Sequence, residues 1–164
     1  MPEIGEPAPD FVLPGTGGEV RLSELNAGKK VVLAFYQEDS TPGCTTQLSA
    51  FKEEYPTLRD LGAAVIGISA DSLDSHQTFC DRQGGFPFPL AADQGLSVAR
   101  AYDVLSEDGK RSRRAVYIIN ERGIIIHKIP WYQPGNVGQF LEVLQALGLV
   151  IDPCLLYTSP SPRD

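Results

Sequence analysis

The sequence predicts an α/β protein: a mixed central β-sheet with helices on both faces. Two continuous apolar runs, residues 31–36 and 64–69, suit strands covered on both sides, and each is followed by a helical pattern. Further along, residues 115–119 and 124–129 flank Asn120-Glu121-Arg122-Gly123, a strong hairpin signal, and a last helical pattern follows. Strands alternating with helices, then a hairpin and a helix, give a sheet of this mixed kind.

In chain order, residues 2–9 hold three prolines and read as an extended lead. Phe11-Val12-Leu13 and Glu19-Val20-Arg21-Leu22 flank a Gly-rich turn at 14–18, which predicts an N-terminal β-hairpin. Ser23-Glu24-Leu25 reads as a short helical turn. Leu48, Phe51, Tyr55, Leu58 and Leu61 recur at steps of three and four, the spacing of a helix that buries one face. Pro56 removes a backbone donor inside that pattern, so a break is expected near 52–56. Ser72 can cap a helix running to Gln83, where Gly84-Gly85 stops it. Residues 86–90 read as an extended connector, 96–102 as a short helix and 137–147 as a terminal helix.

The 164 residues suit one domain, taken as 1–153. Residues 154–164 read as the translation of a sequencing adapter, so a non-native tail is expected there and Cys154 carries no role. The net charge of −7 argues against a nucleic-acid partner, which calls for a basic footprint. Lys110, Arg111, Arg113 and Arg114 are a local exception, read as a solvated turn apart from the role given to Arg114 below. No apolar run reaches the roughly 18 residues of a membrane span. Residues 1–6 lack the basic and apolar regions of a signal peptide, so a cytoplasmic location is expected. Three cysteines without a Cys-x-x-Cys do not form a disulfide framework.

The chemistry centres on Cys44. Thr41 can cap a helix, and Pro42 suits its first position because the missing N–H would be unpaired there anyway. Cys44 then lies in the first turn, where the positive end of the helix dipole and free backbone N–H groups favour a thiolate, the reactive form. From position alone a buried structural cysteine is equally consistent.

The residues around Cys44 resemble the peroxiredoxins, most closely the bacterioferritin comigratory protein or peroxiredoxin Q branch. Phe35-Tyr36 and Asp39-Ser40-Thr41-Pro42-Gly43-Cys44-Thr45 match its active-site loop. Gly67-Ile68-Ser69-Ala70-Asp71-Ser72, Ser75-His76, Phe86-Pro87-Phe88-Pro89-Leu90 with Asp93, and Arg114 before Val116 continue the match in order. The resemblance spans roughly residues 4–148. It implies a thioredoxin-like fold with the hairpin as an N-terminal extension, and a thiol peroxidase acting on hydrogen peroxide or organic hydroperoxides without a cofactor. Cys44 would be the peroxidatic cysteine. Thr41 would hydrogen-bond the peroxide, the backbone N–H groups of Gly43 and Cys44 would hold its oxygens, Arg114 would stabilise negative charge, and Gln47 would orient the network. Thioredoxin or a similar dithiol would be the reductant, and the branch implies a monomer.

Two positions depart from the branch. Proline is usual seven residues before the cysteine, where it helps shield the pocket from water; here that residue is Gln37. Many members carry a resolving cysteine five residues after the first; here that residue is Ser49. A subset of the branch resolves from the next helix, which makes Cys80 the candidate, with local unwinding of the Cys44 turn, the Cys80 helix or both. Alternatives kept open are a one-cysteine peroxidase and a non-catalytic sensor that passes its disulfide to a partner protein. His76 and Cys80 share a helix face, but two ligands do not make a zinc site and no metal is expected. His127 is expected to face solvent, and Trp131-Tyr132 to pack on the core.

Overall fold

The computed structural model describes residues 2–149 of the chain. Residues 150–164, with the expected tail, lie outside the described residues. The elements run β1 (Val12–Leu13), β2 (Val20–Arg21), α1 (Leu22–Leu25), β3 (Lys30–Phe35), α2 (Pro42–Glu53), α3 (Tyr55–Asp60) and β4 (Ala63–Ser69). There follow α4 (Leu73–Arg82), β5 (Leu90–Ala92), α5 (Ser97–Ala101), β6 (Ala115–Ile119), β7 (Ile125–Ile129) and α6 (Val137–Ala146).

The main sheet has the order β5-β4-β3-β6-β7, and β1 and β2 form the separate N-terminal hairpin. β3 lies parallel to β4 and antiparallel to β6, so the sheet is mixed at its centre. The apolar runs take these central places because a side chain on either face of the strand is buried. Val32, Ala34 and Tyr36 join one core with Leu48 and Phe51 of α2, Phe79 of α4 and Val143 and Leu144 of α6. Val31, Leu33 and Phe35 point the other way, into a second core with the hairpin and α5. Each fully buried side chain of this size contributes about 1.5–3 kcal/mol.

Local signals place the helix ends. The helical pattern breaks at the expected point: α2 stops at Glu53, and Pro56 sits in the first turn of α3. Ser72 caps α4 by accepting from Ser75 N, and α4 ends before Gly84, whose φ of +75° suits a residue without Cβ. The segment at 86–90 ends in a strand rather than a plain connector, since Leu90 pairs with Gly67 and opens β5. Three residues are too few for a periodic signal.

Two smaller expectations, for Trp131 and for Arg113, are corrected, while His127 faces solvent in part. Trp131 is 62% exposed, with the Arg113 guanidinium 4.5 Å from its ring, while Tyr132 is buried against Phe51. His127, on the edge strand β7, is half-buried and lies 3.0 Å from Glu142. Arg113 also leaves the solvated turn, donating from Nε to Pro130 O. Among the described residues no helix is long and apolar enough to cross a membrane.

Candidate active site

β3 delivers the chain to the site. Tyr36 N donates to Ile68 O, and Tyr36 O accepts from Ser112 Oγ at 2.6 Å, which fixes the point where the loop leaves the sheet. The loop turns through Ser40, whose φ is +66°, and enters α2 with Thr41 at the N-cap and Pro42 in the first turn. Cys44 is therefore the third helical residue, and it is fully buried. Its sulfur accepts from the backbone N–H of Gln37 at 3.3 Å.

Thr41 occupies the expected position but does not cap through its side chain. Its hydroxyl donates to Glu38 O at 3.0 Å instead. The first N–H groups of a helix have no intrahelical acceptor, so those of Gly43 and Cys44 stay available to an oxygen arriving at this end. The lone pairs of Thr41 Oγ1 remain free to accept from a hydroperoxide O–H.

Arg114, just before β6, lies over this turn. A Cβ built on Gly43 would stand 2.6 Å from Arg114 Nη2 and 3.2 Å from its Cζ. Glycine at 43 is what lets the guanidinium reach the helix backbone. Arg114 Nε is buried with no hydrogen-bond partner among the described residues, a costly state for a donor. Gln47, one turn beyond Cys44, donates from Nε2 to Phe35 O at 3.1 Å and leaves Oε1 buried and unpaired. Polar atoms left over at the first two turns of α2 point to a place built for a polar guest.

A second polar group holds the loop from behind. Asp39 accepts from Tyr36 Oη at 2.6 Å and Ser75 Oγ at 2.7 Å, and stands 2.8 Å from His76 Nδ1. Its own N–H donates to Asp71 Oδ2 at 2.8 Å. His76 is fully buried, and its Nε2 faces Ala91 O at 3.0 Å. Both ring nitrogens thus lie against oxygen atoms of the fold. Burial pushes the Asp39 carboxyl up, but the hydrogen bonds from His76, Tyr36 and Ser75 outweigh it and hold the group below its usual range. His76 is thereby tied to Asp39. Asp39, Asp71 and His76 present donor atoms within 4.8 Å of one another, all engaged in these hydrogen bonds.

This clamp joins the cysteine loop to α4. Asp39→Ala is expected to cost about 3 kcal/mol of stability in urea unfolding, because it leaves Tyr36 Oη, Ser75 Oγ and His76 Nδ1 without their shared carboxylate partner. The contribution is present above the unfolded carboxylate pKa of about 3.9 and is lost as pH falls through the lower folded value. The gap between Asp39→Ala and the parent should therefore hold at neutral pH and close at strongly acid pH.

Cys80 lies on α4 in the same buried core as Cys44, and both are free thiols. Burial pushes the Cys80 thiol up, the Thr16 hydroxyl offsets part of this, and the Asp39 and Asp81 carboxylates add to it. Cys80 also borders a groove of about 590 Å³ between the N-terminal hairpin and the end of α4, beside Thr16, Gln77, Phe86 and Phe88.

A family model described as the AhpC/TSA family matches residues 4–128. The chain belongs to the AhpC/TSA family. Within it, the relatives are of the Bcp and peroxiredoxin Q kind. The chain is 37% identical to a peroxiredoxin bcp of Coxiella burnetii over 88% of this chain and 98% of that protein. It is 36% identical to the chloroplastic peroxiredoxin Q of Triticum aestivum, over 87% of this chain and 67% of that one. Among solved structures, peroxiredoxin Q of Xanthomonas campestris superposes with a TM-score of 0.74 at 34% identity, covering 84% and 89% of the two chains. Solved forms of that protein include two single Cys-to-Ser variants, at positions whose numbers differ by 36, as those of Cys44 and Cys80 do.

This peroxiredoxin has the thioredoxin-like fold of its relatives, with the hairpin as an N-terminal addition. It is a thiol peroxidase, an oxidoreductase that takes a peroxide as substrate and a thiol as reductant. The structure brings Thr41, Gly43, Cys44, Gln47 and Arg114 to one end of α2 and keeps Cys80 on a separate helix of the same core. The grip of Asp39 on His76 and the donor at Gln37 have no counterpart among the expectations from the sequence. A buried histidine at 76, on the face shared with Phe79 and Cys80, is the signal that could have found the first.

Proposed function

We propose that Cys44 attacks the peroxide and that Cys80 resolves the product. The supporting observation is a buried sulfur in the first turn of α2 that already accepts a backbone hydrogen bond, with Arg114 packed on the adjoining Gly43. Every such donor interacts more strongly with a thiolate than with a thiol. The thiolate attacks the hydroxyl oxygen of a hydroperoxide. An S–O bond forms and the O–O bond breaks; the sulfur is oxidised to sulfenic acid and the departing alkoxide or hydroxide takes a proton to become alcohol or water. Negative charge moves from sulfur to the leaving oxygen, where the Arg114 guanidinium and the Gly43 and Cys44 N–H groups stabilise it. Thr41 Oγ1 accepts from the incoming hydroperoxide, and Gln47 fixes the turn through Phe35 O.

The Cys80 thiol then condenses with the sulfenic acid, giving a disulfide and releasing water. Its shared core with Cys44, and the matching spacing of the two serine variants in the Xanthomonas campestris protein, support this pairing. A disulfide needs Cα atoms within about 7 Å, and Cys44 and Cys80 sit on separate helices, so we expect the first turn of α2, the helix α4 or both to unwind as it forms. The groove beside Cys80 gives the reductant a sulfur close to the surface. Thioredoxin or a similar dithiol then returns both thiols and leaves as its own disulfide. We place this cycle in the cytoplasm, in a monomer of one domain, with no nucleic acid or membrane partner; the net charge of −7 agrees with the absence of nucleic acid.

Stoichiometry tests the reading. With excess dithiol reductant, one equivalent of protein is expected to consume many equivalents of hydrogen peroxide, while Cys80→Ser completes the first oxidation and then slows sharply with that reductant. Consumption that stops at about one equivalent would mark a sensor, and full turnover by Cys80→Ser would remove the resolving role.

A further inference from the structure

The hydrogen bond from Gln37 to Cys44 uses a group that proline cannot supply. Proline has no backbone N–H. The branch pattern places proline at this position, so the chain carries a donor to the sulfur that the pattern lacks. The donor's position follows from the strand end. Tyr36 is held on both sides, by Ile68 through its N–H and by Ser112 through its carbonyl. The next peptide must therefore leave the sheet, and its N–H turns toward the first turn of α2, 3.3 Å from Sγ. The Gln37 side chain plays no part in this contact.

We propose that the main-chain N–H of Gln37 is a catalytic group of this peroxiredoxin, a hydrogen-bond donor that holds the Cys44 sulfur as a thiolate in position for attack. The proposal rests on the reading of Cys44 as the attacking cysteine. It gives the nucleophile a donor fixed to the sheet, apart from the donors on α2 and at Arg114. It also replaces a ring that would shield the pocket with a half-buried amide side chain. The donor has its greatest hold before reaction, on the anionic sulfur. It weakens once the sulfur becomes sulfenic acid, which eases departure of the Cys44 turn toward Cys80.

The test reads the sulfur without using peroxide. Iodoacetamide alkylation of Cys44 is followed against pH in a Cys80→Ser background. Gln37→Pro removes the donor and Gln37→Ala keeps it. A hydrogen bond to a charged group is worth about 1.5–3 kcal/mol, so the pH midpoint of the alkylation profile, which does not depend on access to the pocket, should lie about 1–2 pH units lower in Gln37→Ala than in Gln37→Pro. The other charged groups at the loop, Arg114, the Asp39–His76 pair and Glu38 paired with Arg111, are common to both variants. Equal pH midpoints in the two variants would overturn the proposal.

Should Gln37→Pro fail to fold, the amide itself can be read in unaltered protein. The ¹⁵N-labelled Gln37 N–H resonance should shift across the same pH range as the alkylation profile, and the shift should vanish in Cys44→Ser. A Gln37 amide that stays flat while Cys44 titrates overturns the proposal equally. A Cys44 that titrates normally but is not oxidised by peroxide would instead contradict the function on which the proposal rests.

Discussion

Cys44→Ser is expected to lower kcat/KM for hydrogen peroxide by at least about 10⁴-fold, the scale of losing a catalytic nucleophile. A serine hydroxyl in this place stays protonated at neutral pH and cannot accept an oxygen atom, whereas sulfur forms a sulfenic acid. The fold should survive. Serine is close to cysteine in size, and the Gln37 N–H can still donate to its hydroxyl oxygen. The comparison therefore separates chemistry from folding, with stopped-flow peroxide consumption for the first and thermal unfolding for the second. Activity retained by Cys44→Ser would move the nucleophile elsewhere, and Cys80 would be the next residue to examine.

Arg114→Ala is the second large effect, an expected fall of about 10²–10³-fold in kcat/KM, the scale reported for removing a preorganised charge-stabilising donor. The side chain lies against Gly43, and its Nε is already buried and unpaired. In the proposed mechanism its loss removes positive charge from the point where the leaving oxygen becomes negative. Arg114→Lys should recover little, because an ammonium cannot present the planar set of donors that the guanidinium lays over the Gly43 backbone. Gly43→Ala offers a check from the other partner: its methyl would stand 2.6 Å from Nη2, so the guanidinium must move and the rate should fall without any change of charge. Stopped-flow kinetics on the three variants measures all of this, and an Arg114→Ala enzyme within threefold of the parent would show that the N–H groups of α2 suffice.

Much of this site is legible in the sequence because its parts are local. The apolar run before the loop, Thr41-Pro42-Gly43 at a helix start and the cysteine in the first turn are consecutive, and each follows from a rule of backbone geometry. β3, β4 and β6 were equally legible, since continuous apolar runs suit strands covered on both sides. What was hidden depends on distant partners or on the backbone. Asp39 and His76 lie 37 residues apart, and nothing in either segment tells which polar group the other will meet. The Gln37 donor is a peptide N–H, which any residue but proline would carry, so it becomes visible only when the turn of the loop is seen. Gly43 looked like a helix-start residue, and its need for close approach appears only with Arg114 folded over it.

The proposed pairing of Cys44 with Cys80 is the step on which the proposed cycle turns, and peptide mass mapping tests it directly. Reduced protein is treated with one equivalent of hydrogen peroxide, quenched with an alkylating agent and digested without reductant. The account predicts one cross-linked species that joins the peptides of Cys44 and Cys80, formed with loss of both free thiols and absent from either serine variant. Oxidised protein in which Cys44 is sulfenic or sulfinic acid while Cys80 is still a free thiol would contradict it.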